Sequence, residues 1–130
     1  MYAARFISIS INRNWREVYD FAAEPTNFPK WASGLASGVE RAGEDWTAEG
    51  PDGPIRIRFS PVNAFGVLDH VVTLRSGVEV LIPLRVVPNG AGSEVTLTLF
   101  QTPGMSGETF EADAEWVHSD LRALKTLLEP

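Results

Sequence analysis

The most constraining feature of this chain is a row of apolar residues near its C-terminus. Phe110, Ala114, Val117, Leu121, Leu124 and Leu128 follow one another at spacings of four, three, four, three and four. On an α-helix they form one continuous stripe. The spacing predicts a helix from about Ser106 to Glu129, after the turn signal Thr102-Pro103-Gly104. A stripe of that length must be buried against something comparably long. At 130 residues the chain suits a single domain, 1–130, with one core, so the covering surface is expected from the residues upstream.

Those residues read mostly as strands. Ile7, Ile9 and Ile11 alternate with Ser8 and Ser10, the period of a strand with one buried face. Asn14 with Glu17 three positions later has the form of a capping box, with Asn in place of Ser or Thr, and Trp15, Val18, Tyr19 and Ala22 then recur at helical spacing. Pro25 and Pro29 end that helix, and Phe28, Trp31 and Leu35 suggest a second short helical turn. From Ser37 onward glycine and proline recur between strand-like runs. Strands are expected near 37–42, 45–50, 54–60, 66–75, 78–88 and 92–101, joined at turns such as Pro51-Asp52-Gly53 and Ser76-Gly77. The expected class is α+β: a curved antiparallel sheet of about seven strands around the long C-terminal helix, with two short helices after strand one.

Composition removes several function classes. There is no cysteine, which excludes disulfides, thiolate metal sites and a cysteine nucleophile. Two histidines far apart, His70 and His118, make a poor zinc site, so neither metal nor cofactor is expected. A formal net charge of -6 opposes binding to nucleic acid or to an anionic membrane. No apolar run is long enough to cross a bilayer, and the alternating N-terminus does not read as a signal peptide. A cytoplasmic location is the default expectation.

Particular residues then resemble a known family. Asn14-Trp15-Arg16-Glu17-Val18-Tyr19-Asp20-Phe21, followed by Pro25, Asn27, Phe28, Pro29 and Trp31, are similar to the opening of the START/polyketide-cyclase (SRPBCC) superfamily. Asn63 to His70, Arg85 to Asn89-Gly90, Gly92 to Val95 and Asp120 to Lys125 extend the resemblance over nearly the whole chain. The superfamily shares its helix-grip fold with the birch pollen allergen. The resemblance implies a cavity between sheet and helix, used for lipids, sterols, hormones or polyketides. It implies no single activity and carries no catalytic motif.

Strand parity indicates which residues could line such a cavity. Val78, Val80, Ile82, Leu84 and Val86 form one apolar face, as do Ile55, Ile57 and Phe59, and Val95, Leu97 and Leu99. Arg56, Arg58, Glu79 and Arg85 then point outward. Asp69 and His70 are adjacent and must face opposite ways, with His70 sharing the parity of Leu68 and Val72. On the C-terminal helix Asp113 and Asp120 flank the stripe, two turns apart, where burial would raise their pKa values, while His118 falls on the solvent side. Trp31 and Trp116 are expected nearest a cavity mouth, and Gly104-Met105-Ser106-Gly107 reads either as a mobile entrance or as a plain turn capped by Ser106. The candidate ligand-binding set is Trp31, His70, Ile82, Leu84, Leu97 and Leu99 with Asp113, Trp116, Val117, Asp120 and Leu121.

Three functions stay open at this point. The first is binding of a small hydrophobic molecule: a lipid, an aromatic or a polyketide-like compound. The second is a cyclase or dehydratase in which His70 and Asp113 or Asp120 act as base and acid. The third is an interaction protein with a closed interior, for which a homodimer is one form.

Overall fold

The computed structural model describes residues 1–35 and 37–130. Strand β1 (Ala4–Ile11) leads into helix α1 (Trp15–Ala23), then into two 3-10 turns, Pro25–Lys30 and Ser33–Leu35. Seven further strands follow: β2 (Val39–Ala42), β3 (Asp45–Gly50), β4 (Gly53–Phe59), β5 (His70–Thr73), β6 (Glu79–Ile82), β7 (Leu84–Asn89) and β8 (Gly92–Phe100). Helix α2 (Gly107–Leu128) closes the chain. All pairings are antiparallel, in the orders β1-β8-β7 and β2-β3-β4-β5-β6.

The two sets of strands are one sheet bent at a proline. Val67 pairs with Arg85, His70 with Ile82 and Thr73 with Glu79 in a single register, so the expected strands 66–75 and 78–88 do run side by side. Pro83 interrupts them because it has no N–H to donate. The neighbouring Leu84 N–H turns instead to the Asp69 carboxylate, at 2.8 Å, and the Pro83 carbonyl accepts from Thr98 N at 2.9 Å. Counting β6 and β7 as one bent strand gives the seven expected from sequence.

Helix α1 begins at Asn14, whose side chain accepts from Arg16 N at 2.9 Å. The reciprocal half of the expected capping box does not form: Glu17 pairs with Arg13 at 2.8 Å, a cation one turn away being the stronger partner. Val18, Tyr19 and Ala22 are buried, as their spacing requires. Helix α2 is capped by Ser106, which accepts from Thr109 N at 3.1 Å. Gly104-Met105-Ser106-Gly107 is therefore a turn and cap, and none of its residues borders a cavity. The stripe of α2 packs into the concave face of the sheet: Phe110, Ala114, Leu121, Leu124 and Leu128 are buried and Val117 is half-buried. Ala114, Leu121, Leu124 and Leu128 share one core cluster with Ile7, Ile11, Val86, Val95 and Leu97, and Val117 packs against it. The outward arginines lie as parity places them, although their partners are not cross-strand glutamates. Arg56 and Arg58 both reach Asp45, and Arg85 reaches Asp69. No helix among the described residues is long and apolar enough to cross a membrane.

One glycine is fixed by a close approach. Gly66 has φ of 71°, and a Cβ there would lie 2.0 Å from the Val86 carbonyl oxygen, on the pair whose other half is the Val86 N–H bonded to Gly66 O at 2.9 Å. Gly66→Ala is expected to lower stability by about 2 kcal/mol or more, from backbone strain plus overpacking. Urea denaturation checks this, and a change under about 0.5 kcal/mol, the range of a neutral surface substitution, would contradict it.

Candidate functional site

Packing of α2 against the bent sheet leaves a gap of about 290 Å³ that is open to solvent on one side. Its floor comes from the sheet through Ile57, Val72, Ile82, Leu84 and Leu97. Its roof is the middle of α2, at Val117 and Leu121. Phe28 and Leu35, from the two 3-10 turns, and Trp31 and Ala32, from the link between them, close one side. The mouth lies where Gly34, the hairpin residue Pro51 and the α2 residues Asp113, Trp116 and Asp120 converge.

Ten of the eleven candidate residues from sequence border this gap: Trp31, His70, Ile82, Leu84, Leu97, Asp113, Trp116, Val117, Asp120 and Leu121. Leu99 does not. It is half-buried against the core, but it pairs with Arg5 of β1 at a level where Pro83 has already turned β6 away from β8, which leaves it outside the gap. Trp31 also differs from expectation. It is 4% exposed and packed with its ring tilted against Phe28, centroids 4.7 Å apart, so it forms inner wall rather than mouth. Its indole Nε1 is buried without a hydrogen-bond partner among the described residues. Trp116, 46% exposed, is the tryptophan at the mouth. Pro51, Gly34 and Ser33, which shape that mouth, come from turns that no hydrophobic period marks; the Pro51-Asp52-Gly53 turn signal was visible, its position over α2 was not.

His70 is the buried titratable group of the interior, 5% exposed, with Phe28 edge-on at 5.5 Å and Phe59 at 5.7 Å. Its Nδ1 lies 3.0 Å from the Leu68 carbonyl, an acceptor only. In the neutral ring Nδ1 therefore donates and Nε2 is left as an acceptor. Burial pushes the His70 pKa below its ordinary value, outweighing the Leu68 carbonyl and Asp69. Asp69 faces the other way. It takes 2.8 and 3.2 Å bonds from Arg85, and chiefly these, with the bond from Leu84 N, hold its carboxyl below the usual range.

The two α2 carboxylates border the mouth in different circumstances. Asp120 Oδ1 accepts from Ser33 N at 3.2 Å and from Ser33 Oγ at 2.8 Å, and Trp116 Nε1 donates to the same Ser33 Oγ at 2.6 Å. Burial raises the Asp120 pKa, and the Ser33 bonds oppose the rise. Asp113 is also raised by burial, and the charge of Asp52 on the hairpin tip adds to it. Neither carboxylate is hydrogen-bonded to His70 among the described residues. His118 is exposed, in a polar groove between β1 and α2 that also holds Arg5 and Arg122. No group of three or more potential ligands that could hold a metal ion occurs among the described residues. The arrangement can enclose an apolar body and offer it isolated polar contacts; it does not assemble an acid-base pair.

No protein-family model matches the chain, and no curated protein matches it in sequence. Solved structures do match. The protein XoxI from Bacillus cereus superposes with a TM-score of 0.77 at 16% identity, over 97% of this chain and 95% of that one. Ara h 8.0201 superposes with 0.70 at 9% identity, over 98% of each chain. DynU16, from the dynemicin biosynthetic locus, gives 0.74 at 16% identity over 96% of this chain, which spans 46% of that protein. At these identities the likeness is one of fold: the chain shares with these structures a helix grip, an antiparallel sheet around a long C-terminal helix.

The state of His70 is directly measurable. Nitrogen-15 shifts should report the Nδ1-protonated tautomer at pH 7 and a titration midpoint below 6.5, the ordinary value. Because that pKa is lowered on folding, His70 contributes stability above pH 6.5 that is lost as pH falls toward the folded value. A midpoint at or above 6.5 would contradict the burial argument.

Proposed function

We propose that this protein binds a small, mostly apolar molecule in the gap between α2 and the sheet. The observation that carries the reading is an interior left open at the middle of an otherwise packed helix stripe, while Leu121 and Leu124 beside it are fully buried. Well-packed interiors seldom keep a void of this size, and about 290 Å³ lies at the small end of ligand pockets, roughly 300 to 1,000 Å³. That size favours a bicyclic or tricyclic aromatic, or a short polyketide-like compound, over a sterol or a diacyl lipid. Inside, the acceptor Nε2 of His70 suits a ligand hydroxyl. The protein acts in this reading as a cytoplasmic binding protein that needs no metal, cofactor or nucleic acid and does not insert into a membrane.

Cyclase-type catalysis is less well supported. A general base needs its proton donor or acceptor within hydrogen-bond reach, and His70 has only the Leu68 carbonyl while the carboxylates sit at the mouth. An interaction protein with a filled interior is disfavoured by the gap itself.

The test is binding of N-phenyl-1-naphthylamine, an uncharged fluorescent aromatic, with native mass spectrometry of the protein purified without detergent to identify any retained molecule. Val117→Trp, which fills the gap from its half-buried edge, is expected to weaken probe binding about tenfold or more, the scale of losing one to two kcal/mol of apolar contact. Thermal unfolding of the variant establishes that it is folded. Equal affinity in wild type and folded Val117→Trp would place the probe elsewhere and sink the reading.

A further inference from the structure

The charges that face the gap are all of one kind. Its lining contains Asp113 and Asp120, with a His70 that burial keeps neutral, and no lysine or arginine. Asp52 adds a third carboxylate at the hairpin tip, close enough to act on Asp113. None of the three carboxylates forms an ion pair among the described residues. Arg75 packs against Gly53 and shares with Asp52 a separate hollow at the hairpin, outside the lining of the gap. The interior also holds two polar atoms without protein partners among the described residues: the buried Trp31 Nε1 and His70 Nε2. An unpaired buried donor costs free energy unless a partner satisfies it, and both residues border the gap.

We propose that the bound molecule is an aromatic amine whose ammonium sits against Asp113 at the mouth, and that carboxylate-bearing ligands are rejected there. This rests on the ligand-binding reading above and specifies its chemistry. Asp113 and Asp120 are seven residues apart, about 10 Å along the helix, so one ammonium cannot span both. Asp120 already accepts two bonds from Ser33. Asp113 has no hydrogen-bond donor among the described residues. Trp116 lies three residues on from Asp113, on the same face of α2, and borders the same gap, so its indole can flank a cation seated on Asp113. A cation there relieves the burial and the Asp52 repulsion that raise the Asp113 pKa. A ligand carboxylate would meet Asp113 and Asp120 in the lining, with no lysine or arginine among the lining residues, at a partly desolvated site.

The experiment is isothermal titration at pH 7 with three probes on one skeleton: 2-(2-naphthyl)ethylamine, the corresponding alcohol, and 3-(2-naphthyl)propionic acid. The amine is expected to bind about tenfold or more tightly than the acid, the scale of one charge-assisted hydrogen bond, with the alcohol between them. In Asp113→Asn the amine's advantage over the alcohol should fall to within about threefold, about 0.7 kcal/mol. Glu111→Gln removes one negative charge from the exposed side of the same helix, where Glu111 pairs with Arg5, and should preserve the preference. An acid that binds as tightly as the amine, or a Glu111→Gln that erases the preference as fully as Asp113→Asn, overturns the assignment of the ammonium to Asp113 and leaves the cavity reading standing. Failure of all three probes to bind overturns both.

Discussion

The structure depends on burying one side of a 22-residue helix that is about 33 Å long. A flat sheet would meet such a helix along a short line, so the strands must curl to follow it. Burial is complete toward the end of α2, where Leu121, Leu124 and Leu128 press on the core. It is complete again at Phe110. Between them the smaller Val117 stands over Ile82, Leu84 and Leu97, and there the two layers part. Side-chain volume alone does not set the gap, because the smaller Ala114, three residues before Val117, is buried outside its lining; the gap opens where the stripe faces the bend of the sheet.

The curl is achieved with few polar groups stranded. At Pro83 the ladder loses one donor, and the polar groups around it find other partners: Leu84 N–H goes to the Asp69 carboxylate, Pro83 O to Thr98 N, and Asp69 in turn to Arg85. Satisfying these groups matters because an unpaired backbone group at a buried bend costs more than a formed bond returns. Asp69 is therefore an outward structural carboxylate that holds the bend beside the strand carrying His70 inward. Two neighbouring residues that look like a catalytic pair in sequence do separate work on opposite faces.

Much of the fold was legible in the sequence because its signals are periodic. The spacing of Phe110 to Leu128 identified α2, and alternation in 54–60, 78–88 and 92–101 put Ile57, Leu84 and Leu97 on the inner face. The division of 78–88 at Pro83 required knowing that the proline falls where the sheet bends. The site was legible only where it lies on those periodic elements. Parity assigned Leu99 the correct face yet could not indicate that β6 diverges from β8 beside it. Ser33, Gly34 and Pro51 occupy the mouth because chain segments distant in sequence meet there, and no local pattern encodes such a meeting. Trp31 was misplaced for the same reason: a large aromatic after a proline break can point inward or outward, and packing against Phe28 decides it.

The Ser33 bridge between Trp116 and Asp120 sets a polar fastening at the rim of an apolar gap. In the proposed ligand-binding reading, retention would come from apolar surface removed from water deep in the gap, which scales with the size of the guest. The rim is fastened by hydrogen bonds to a side chain that solvent can reach, and water replaces such bonds at a net cost of only about 0.5–1.5 kcal/mol each. The turn that carries Ser33 follows Ala32 and ends at Leu35, both part of the apolar core, so displacing it from α2 disturbs that core as well. In the proposed ligand-binding reading, the exchange of a guest and the stability of the fold are therefore coupled through one short turn.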